Sequence, residues 1–156
     1  LPHSLPHRAD LVCRRMLAAG VRGSIINMSS QMGHVGGPNR SLYCASKWAM
    51  EGFSKAMALD LAPHGIRVNT LCPTFIQTPM TKPFLEDAAF KASVLSKIKL
   101  GRLGNVEDLM GGILFLASDA SSLMTGYMKI MKRAMGSAVS LKVAGCGSTS
   151  ATNGPP

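Results

Sequence analysis

Ser30, Tyr43 and Lys47 are the residues of this chain whose types and spacing can do chemistry. Ser30 closes the run Ile25-Ile26-Asn27-Met28-Ser29-Ser30. Tyr43 follows thirteen residues later, with Lys47 four positions beyond it. If Tyr43 opens a helix, the four-residue step stacks phenol and ammonium on one face, one turn apart. A nearby ammonium favours the phenolate, whose proton in an isolated phenol leaves only near pH ~10. Ser30 can give a second hydrogen bond to the same substrate oxygen. Together the three would form a proton-transfer site for a carbonyl/alcohol pair.

The elements that must hold these side chains can be read around them. Residues 23–28 are a short apolar run that predicts a buried parallel strand. Gly33, Gly36, Gly37 and Pro38 predict a loop over 31–41, a tight turn beside the site. Residues 42–61 predict the longest helix, whose small residues Ala45, Ala49, Gly52, Ala56 and Ala58 allow close packing on a sheet or a partner helix. Pro63-His64-Gly65 stops it, and 66–71 form the next strand. Two parallel strands joined by a helix call for a right-handed crossover, hence an α/β fold with a doubly wound parallel sheet. Helices are also expected over 10–19, in an amphipathic segment over 81–100, and from Asn105 to about 117. Asn105 would cap the last of these, with Asp108 as the capping-box acid.

The chain has 156 residues, 46% hydrophobic and 16% charged, which fits one globular domain. The net charge of +9 is uneven: +2 over 1–21, +3 over 22–126 and +4 over 127–156, where no acid occurs. No basic helix face interleaved with aromatics is present, so nucleic acid is not an expected partner. No apolar run reaches ~18 residues, so no membrane partner is expected either. Cys13, Cys44, Cys72 and Cys146 are scattered without C-x-x-C, predicting buried free thiols in a reducing, cytoplasmic compartment and no metal site. His3 and His7 are separated by Pro6 and should form no helical ligand pair; His34 and His64 read as isolated loop or surface residues.

At these residues the chain resembles the short-chain dehydrogenase/reductase family. The likeness rests on Ser30, Tyr43 and Lys47 at family spacing, on Gly65-Ile66-Arg67-Val68-Asn69-Thr70-Leu71-Cys72-Pro73, and on Gly101-Arg102-Leu103-Gly104-Asn105-Val106-Glu107-Asp108. It runs from about Gly23 to Gly126. The resemblance implies an oxidoreductase that transfers hydride between NAD or NADP and a small carbonyl or alcohol substrate. In it Tyr43 is the acid/base, Lys47 assists Tyr43 and binds the nicotinamide ribose, and Ser30 polarises the carbonyl. Pro73, Ile76 and Thr78 match the segment that contacts the nicotinamide carboxamide; Thr74 stands where the family usually has Gly. Intact members form homo-oligomers.

The resemblance also implies an incomplete Rossmann-like sheet. The Thr-Gly-x-x-x-Gly-x-Gly turn that receives the pyrophosphate, and the strands around it, are not among these residues, so the chain is expected to be inactive by itself. The alternative function is a non-catalytic module that pairs with a full-length homologue through its long helices. Residues 1–126 are expected to form the catalytic half. Residues 127–156 are expected to be a divergent tail, basic and then Ser/Gly/Thr/Pro-rich, largely disordered, with the family's final strand lost.

Overall fold

The computed structural model describes residues 7–130 of the chain. In order these are helix α1 (His7–Ala18), strand β1 (Gly23–Met28), helix α2 (Ser41–Leu61), strand β2 (Ile66–Cys72), helices α3 (Lys82–Glu86), α4 (Ala88–Ser96) and α5 (Glu107–Ala117), and strand β3 (Met128–Ile130). The three strands form one parallel sheet in the order β1-β2-β3. Gly23 pairs with Ile66 and Met28 with Leu71, while Thr70 pairs with Met128 and Cys72 with Ile130.

Strand alternation sorts the sheet into two faces. Ile66, Val68 and Ile25 pack with Cys13 and Met16 of α1 and with Phe53, Met57, Ala58 and Leu61 of α2. The alternate residues turn the other way. Ser24 donates to the Leu116 carbonyl, and the Arg67 guanidinium donates to the carbonyls of Leu116 and Ser118 at the end of α5. Ile66, Val68, Leu71 and Cys72 are all at most 1% exposed, which makes β2 the buried centre of the layers. After α2 the chain reverses through Pro63 into Gly65, whose φ of +70° is a conformation that side-chain-bearing residues rarely adopt.

Several expectations are corrected here. A final strand is present: β3 begins inside the segment expected to have lost it. Asn69 explains how, because its fully buried amide donates to the Met124 carbonyl and accepts from the Tyr127 N–H, holding the chain where it enters β3. The helix expected over 81–100 is two helices broken at Asp87, whose carboxylate accepts from the N–H groups of Ala89 and Phe90 and so caps α4. α1 begins at His7, one turn before position 10. α5 begins at Glu107, and only half of the capping box forms: Asp108 accepts from the Asn105 N–H, whereas the Asn105 side chain accepts from Gln77. The expectations for His3, Cys146 and residues 131–156 lie outside the described residues. Among the described residues no helix is long and apolar enough to cross a membrane.

Candidate active site

β1 delivers the catalytic candidates to the carboxyl edge of the sheet. Beyond Met28 the chain stays bound to the end of β2: the Ser29 N–H donates to the Leu71 carbonyl at 2.8 Å and the Gln31 N–H to the Pro73 carbonyl at 3.0 Å. Ser30 lies between them, buried, and its hydroxyl accepts from the Met32 N–H at 3.2 Å, opening a single tight turn over Gln31–Gly33. Tyr43 sits in the first turn of α2 and is 42% exposed. One turn on, the Lys47 ammonium lies 5.8 Å from the Tyr43 ring centre and donates to the Met28 carbonyl at 3.2 Å. Lys47 therefore joins the helix that carries Tyr43 to the strand end that carries Ser30. The approach is close at Gly33, where a Cβ would stand 3.0 Å from both the Lys47 carbonyl and Glu51 Cγ.

A cavity of about 1030 Å³ opens beside Tyr43, between the 31–43 segment and helices α3 and α4. Its walls combine Phe75, Phe84 and Phe90 with the cations Arg40 and Lys97. The Arg40 guanidinium lies 5.6 Å from the Phe84 ring centre, linking the loop before α2 to α3. An apolar wall with a few cations suits a small organic molecule held against Tyr43.

The 73–78 segment continues along the same edge. Ile76 bridges Gly104 in parallel, and the Gln77 N–H donates to the Gly104 carbonyl at 2.8 Å. The Thr81 hydroxyl donates to the Ile76 carbonyl at 2.6 Å and accepts from the Thr78 N–H at 2.9 Å. These bonds hold the 73–78 backbone along the carboxyl edge of the sheet, the edge to which the Gln31 N–H–Pro73 carbonyl bond also ties the Ser30 turn. An ammonium on α2 and a polar threonine-bearing segment on the same sheet edge are groups of the kind that can hold a carboxamide and a ribose diol.

Beneath the site lies a polar cluster that sequence reasoning missed. Glu51, 3% exposed, accepts from the Thr70 hydroxyl at 2.9 Å and from the Cys72 thiol at 3.2 Å. His34 Nε2 stands 3.5 Å from Glu51 Oε1 and 3.4 Å from Cys72 Sγ. Its ring also faces Trp48 at 6.3 Å between centres. His34 is thus half-buried in a network and is no isolated loop residue. The signal that could have found Glu51 was its place one further turn along the Tyr43–Lys47 face. Burial pushes the Cys72 thiol up to about 12; the Glu51 carboxylate adds to that rise and the Thr70 hydroxyl opposes it. Cys13, Cys44 and Cys72 are free thiols; Cys13 and Cys72 are buried as expected, whereas Cys44 is only half-buried. Arg102 and Asp108 form a two-pronged ion pair at 2.6 and 2.8 Å on the surface, apart from the chemistry. The guanidinium, with the Asn105 N–H, holds the Asp108 carboxyl well below the usual carboxylate range.

Comparison with known proteins agrees with this architecture. A family model described as enoyl-(acyl carrier protein) reductase matches residues 4–132. The chain is 40% identical over 120 residues to D-erythrulose reductase of Gallus gallus, covering 77% of this chain and 49% of that protein. It is 42% identical over 118 residues to L-xylulose reductase of Bos taurus, covering 76% and 48%. Among solved structures, gluconate 5-dehydrogenase of Burkholderia cenocepacia J2315, in complex with NADP and tartrate, superposes with a TM-score of 0.78 at 35% identity, covering 84% of this chain and 51% of that one. The chain belongs to the short-chain dehydrogenase/reductase family. It spans about half the length of the curated relatives it matches.

Proposed function

We propose that these residues are the catalytic half of an NAD(P)-dependent oxidoreductase acting on a small carbonyl/alcohol pair in a reducing, cytoplasmic compartment. The observation that carries the proposal is Lys47, held between the Tyr43 ring and the Met28 carbonyl two residues before Ser30. Lys47, with the backbone of Pro73, Ile76 and Thr78, would hold the nicotinamide riboside. That group, when bound, supplies or accepts the hydride. Tyr43 gives its phenolic proton to the carbonyl oxygen in reduction and takes it back in oxidation. The Lys47 ammonium offsets the charge that develops on the phenolate. Ser30 donates a hydrogen bond to the same oxygen, for which its hydroxyl keeps its own proton while accepting from Met32. The aromatic wall of the cavity excludes water from the substrate.

The test is a chimera in which the N-terminal half of a close relative precedes residues 23–130. It should reduce a carbonyl substrate of that relative, and Tyr43→Phe should lower turnover at least ~10²-fold, because it removes the proton donor. Near-full activity of the substituted chimera would remove Tyr43 from the mechanism. Residues 1–156 by themselves should bind neither NADH nor NADPH in calorimetric titration. The Thr-Gly-x-x-x-Gly-x-Gly turn whose amides would receive the pyrophosphate is not among them.

A second reading, pairing with a homologue, is favoured by α2. Leu42, Ala45, Ala49, Gly52, Ala56 and Leu59 recur at three- and four-residue steps along it, and all are exposed. Small residues flanked by leucine are the pattern of close helix contact. Sedimentation of Leu42→Glu/Leu59→Glu against the parent tests it; an unchanged mass would exclude that face.

A further inference from the structure

We propose that His34, Glu51 and Cys72 form a binding site for one zinc-type divalent cation. The three donor atoms come from three different elements, the loop after Ser30, the middle of α2 and the end of β2. They stand 3.2, 3.4 and 3.5 Å from one another. Zinc binds imidazole nitrogen and carboxylate oxygen at about 2.1 Å and thiolate sulfur at about 2.3 Å, so tetrahedral geometry spaces such donors about 3.4–3.6 Å apart. The observed triangle needs to widen by only a few tenths of an ångström. An imidazole, a carboxylate and a thiolate are a donor set of borderline softness, which favours zinc over calcium or magnesium.

The surroundings support the assignment independently of the triangle. The Thr70 hydroxyl donates to Glu51 Oε2, leaving Oε1 turned toward His34 and Cys72, so the carboxylate is already oriented by a neighbour. Ser29, 4% exposed, has a hydroxyl that reaches no well-formed hydrogen bond and lies beside the Cys72 sulfur, and a metal-bound thiolate would be a stronger acceptor for it than the thiol. His34 lines the 1030 Å³ cavity, which provides the path by which an ion and the water that completes its coordination enter. On binding, the Cys72 S–H bond breaks and a sulfur–metal bond forms; the proton passes to solvent, and nothing is oxidised or reduced. The ion would lock the Ser30 turn to the helix carrying Tyr43 and Lys47, adding to the contacts at Gly33 a bond that chelators can remove. It is not a participant in the proton transfer.

Cobalt(II) is the probe, because its thiolate and tetrahedral bands report the ligands directly and do not depend on activity. The reduced, metal-free 156-residue chain and the chimera described above are each titrated with cobalt and then with zinc. The expected result is a thiolate-to-cobalt absorption saturating at one equivalent, erased by zinc, with about one proton released per ion. It should persist in Cys13→Ser/Cys44→Ser/Cys146→Ser and vanish in Cys72→Ser. Thr70→Val should keep the band and weaken binding about 10–100-fold, as loss of an orienting partner does. A band that survives Cys72→Ser, or no band in either the chain or the chimera, would overturn the proposal.

Discussion

The ammonium of Lys47 donates to the carbonyl of Met28 across 3.2 Å, tying the second turn of α2 to the last residue of β1. One of its three protons is thereby spent on geometry. The other two are those that the proposed mechanism directs to the cofactor ribose and to the phenol. Removing the cation should thus damage catalysis more than folding. In the chimera, Lys47→Met is expected to lower kcat/KM at least ~10²-fold while shifting the unfolding midpoint little, because the ammonium is only partly buried. Steady-state kinetics beside thermal unfolding check this, and a variant with parent-like kcat/KM would show that the lysine is only a clamp.

Gly33 leaves little room for a side chain. Alanine would bring its Cβ to 3.0 Å from the Lys47 carbonyl and Glu51 Cγ and 3.1 Å from Ser29 Oγ. The backbone contact cannot rotate away, so Gly33→Ala is expected to cost about 1–3 kcal/mol in denaturant unfolding. It should also displace Ser30 from Lys47 and lower turnover in the chimera. A variant of parent stability would mean that the turn can shift without penalty.

Asn69 holds β3 through one donor and one acceptor. Asn69→Ala would remove both bonds, leaving the Met124 carbonyl only its longer contact with Arg67 at 3.5 Å and the Tyr127 N–H without its side-chain acceptor, at about 1 kcal/mol for each lost bond. Asn69→Asp should be worse than loss of one bond, since it sets a carboxylate against the Met124 carbonyl. Hydrogen exchange at Thr70, whose N–H donates to the Tyr127 carbonyl, should accelerate in both variants. Unchanged exchange there would show that β3 docks without Asn69.

Cys72 makes stability depend on alkaline pH. Its thiol pKa is raised in the folded chain from 9.0 to about 12, so between those values the unfolded chain releases a proton that the folded chain keeps. The stability linked to the neutral thiol is fully present below pH 9 and is lost as pH rises toward 12. Cys72→Ser should flatten that part of the stability–pH curve. Alkylation at pH 8 should label partly exposed Cys44 well before Cys72, and the reverse order would contradict the burial.

Arg102 and Asp108 give the opposite dependence. The folded Asp108 carboxyl is held below its unfolded value, so the pair's contribution is present above about pH 4 and is lost as pH falls through the folded value. Asp108→Asn should remove that acid-side slope and change neutral stability little, since both side chains reach solvent. Urea titrations from pH 7 down to pH 2 would show it. Identical acid slopes for parent and variant would mean the pair makes no net contribution.

The residue order alone marked out the candidate chemistry and determined most of the frame. Ser30, Tyr43 and Lys47 declare themselves because a helix makes a four-residue step into one turn, and β1, α2 and β2 follow from apolar runs broken by Pro and Gly. Local rules of this kind need no knowledge of what packs where. The third strand was decided by tertiary structure. Residues 128–130 look unlike their surroundings only until the buried Asn69 amide and the edge of β2 are available to hold them. The break at Asp87 was likewise invisible to hydropathy, because one carboxylate capping two amides outweighs a continuous amphipathic pattern. His34, Glu51 and Cys72 show the difference most clearly. They are seventeen and twenty-one residues apart, with no spacing that a single element would impose. Their meeting exists only because the Ser30 turn, the inner face of α2 and the end of β2 converge under the site, a convergence set by packing and not by any local spacing.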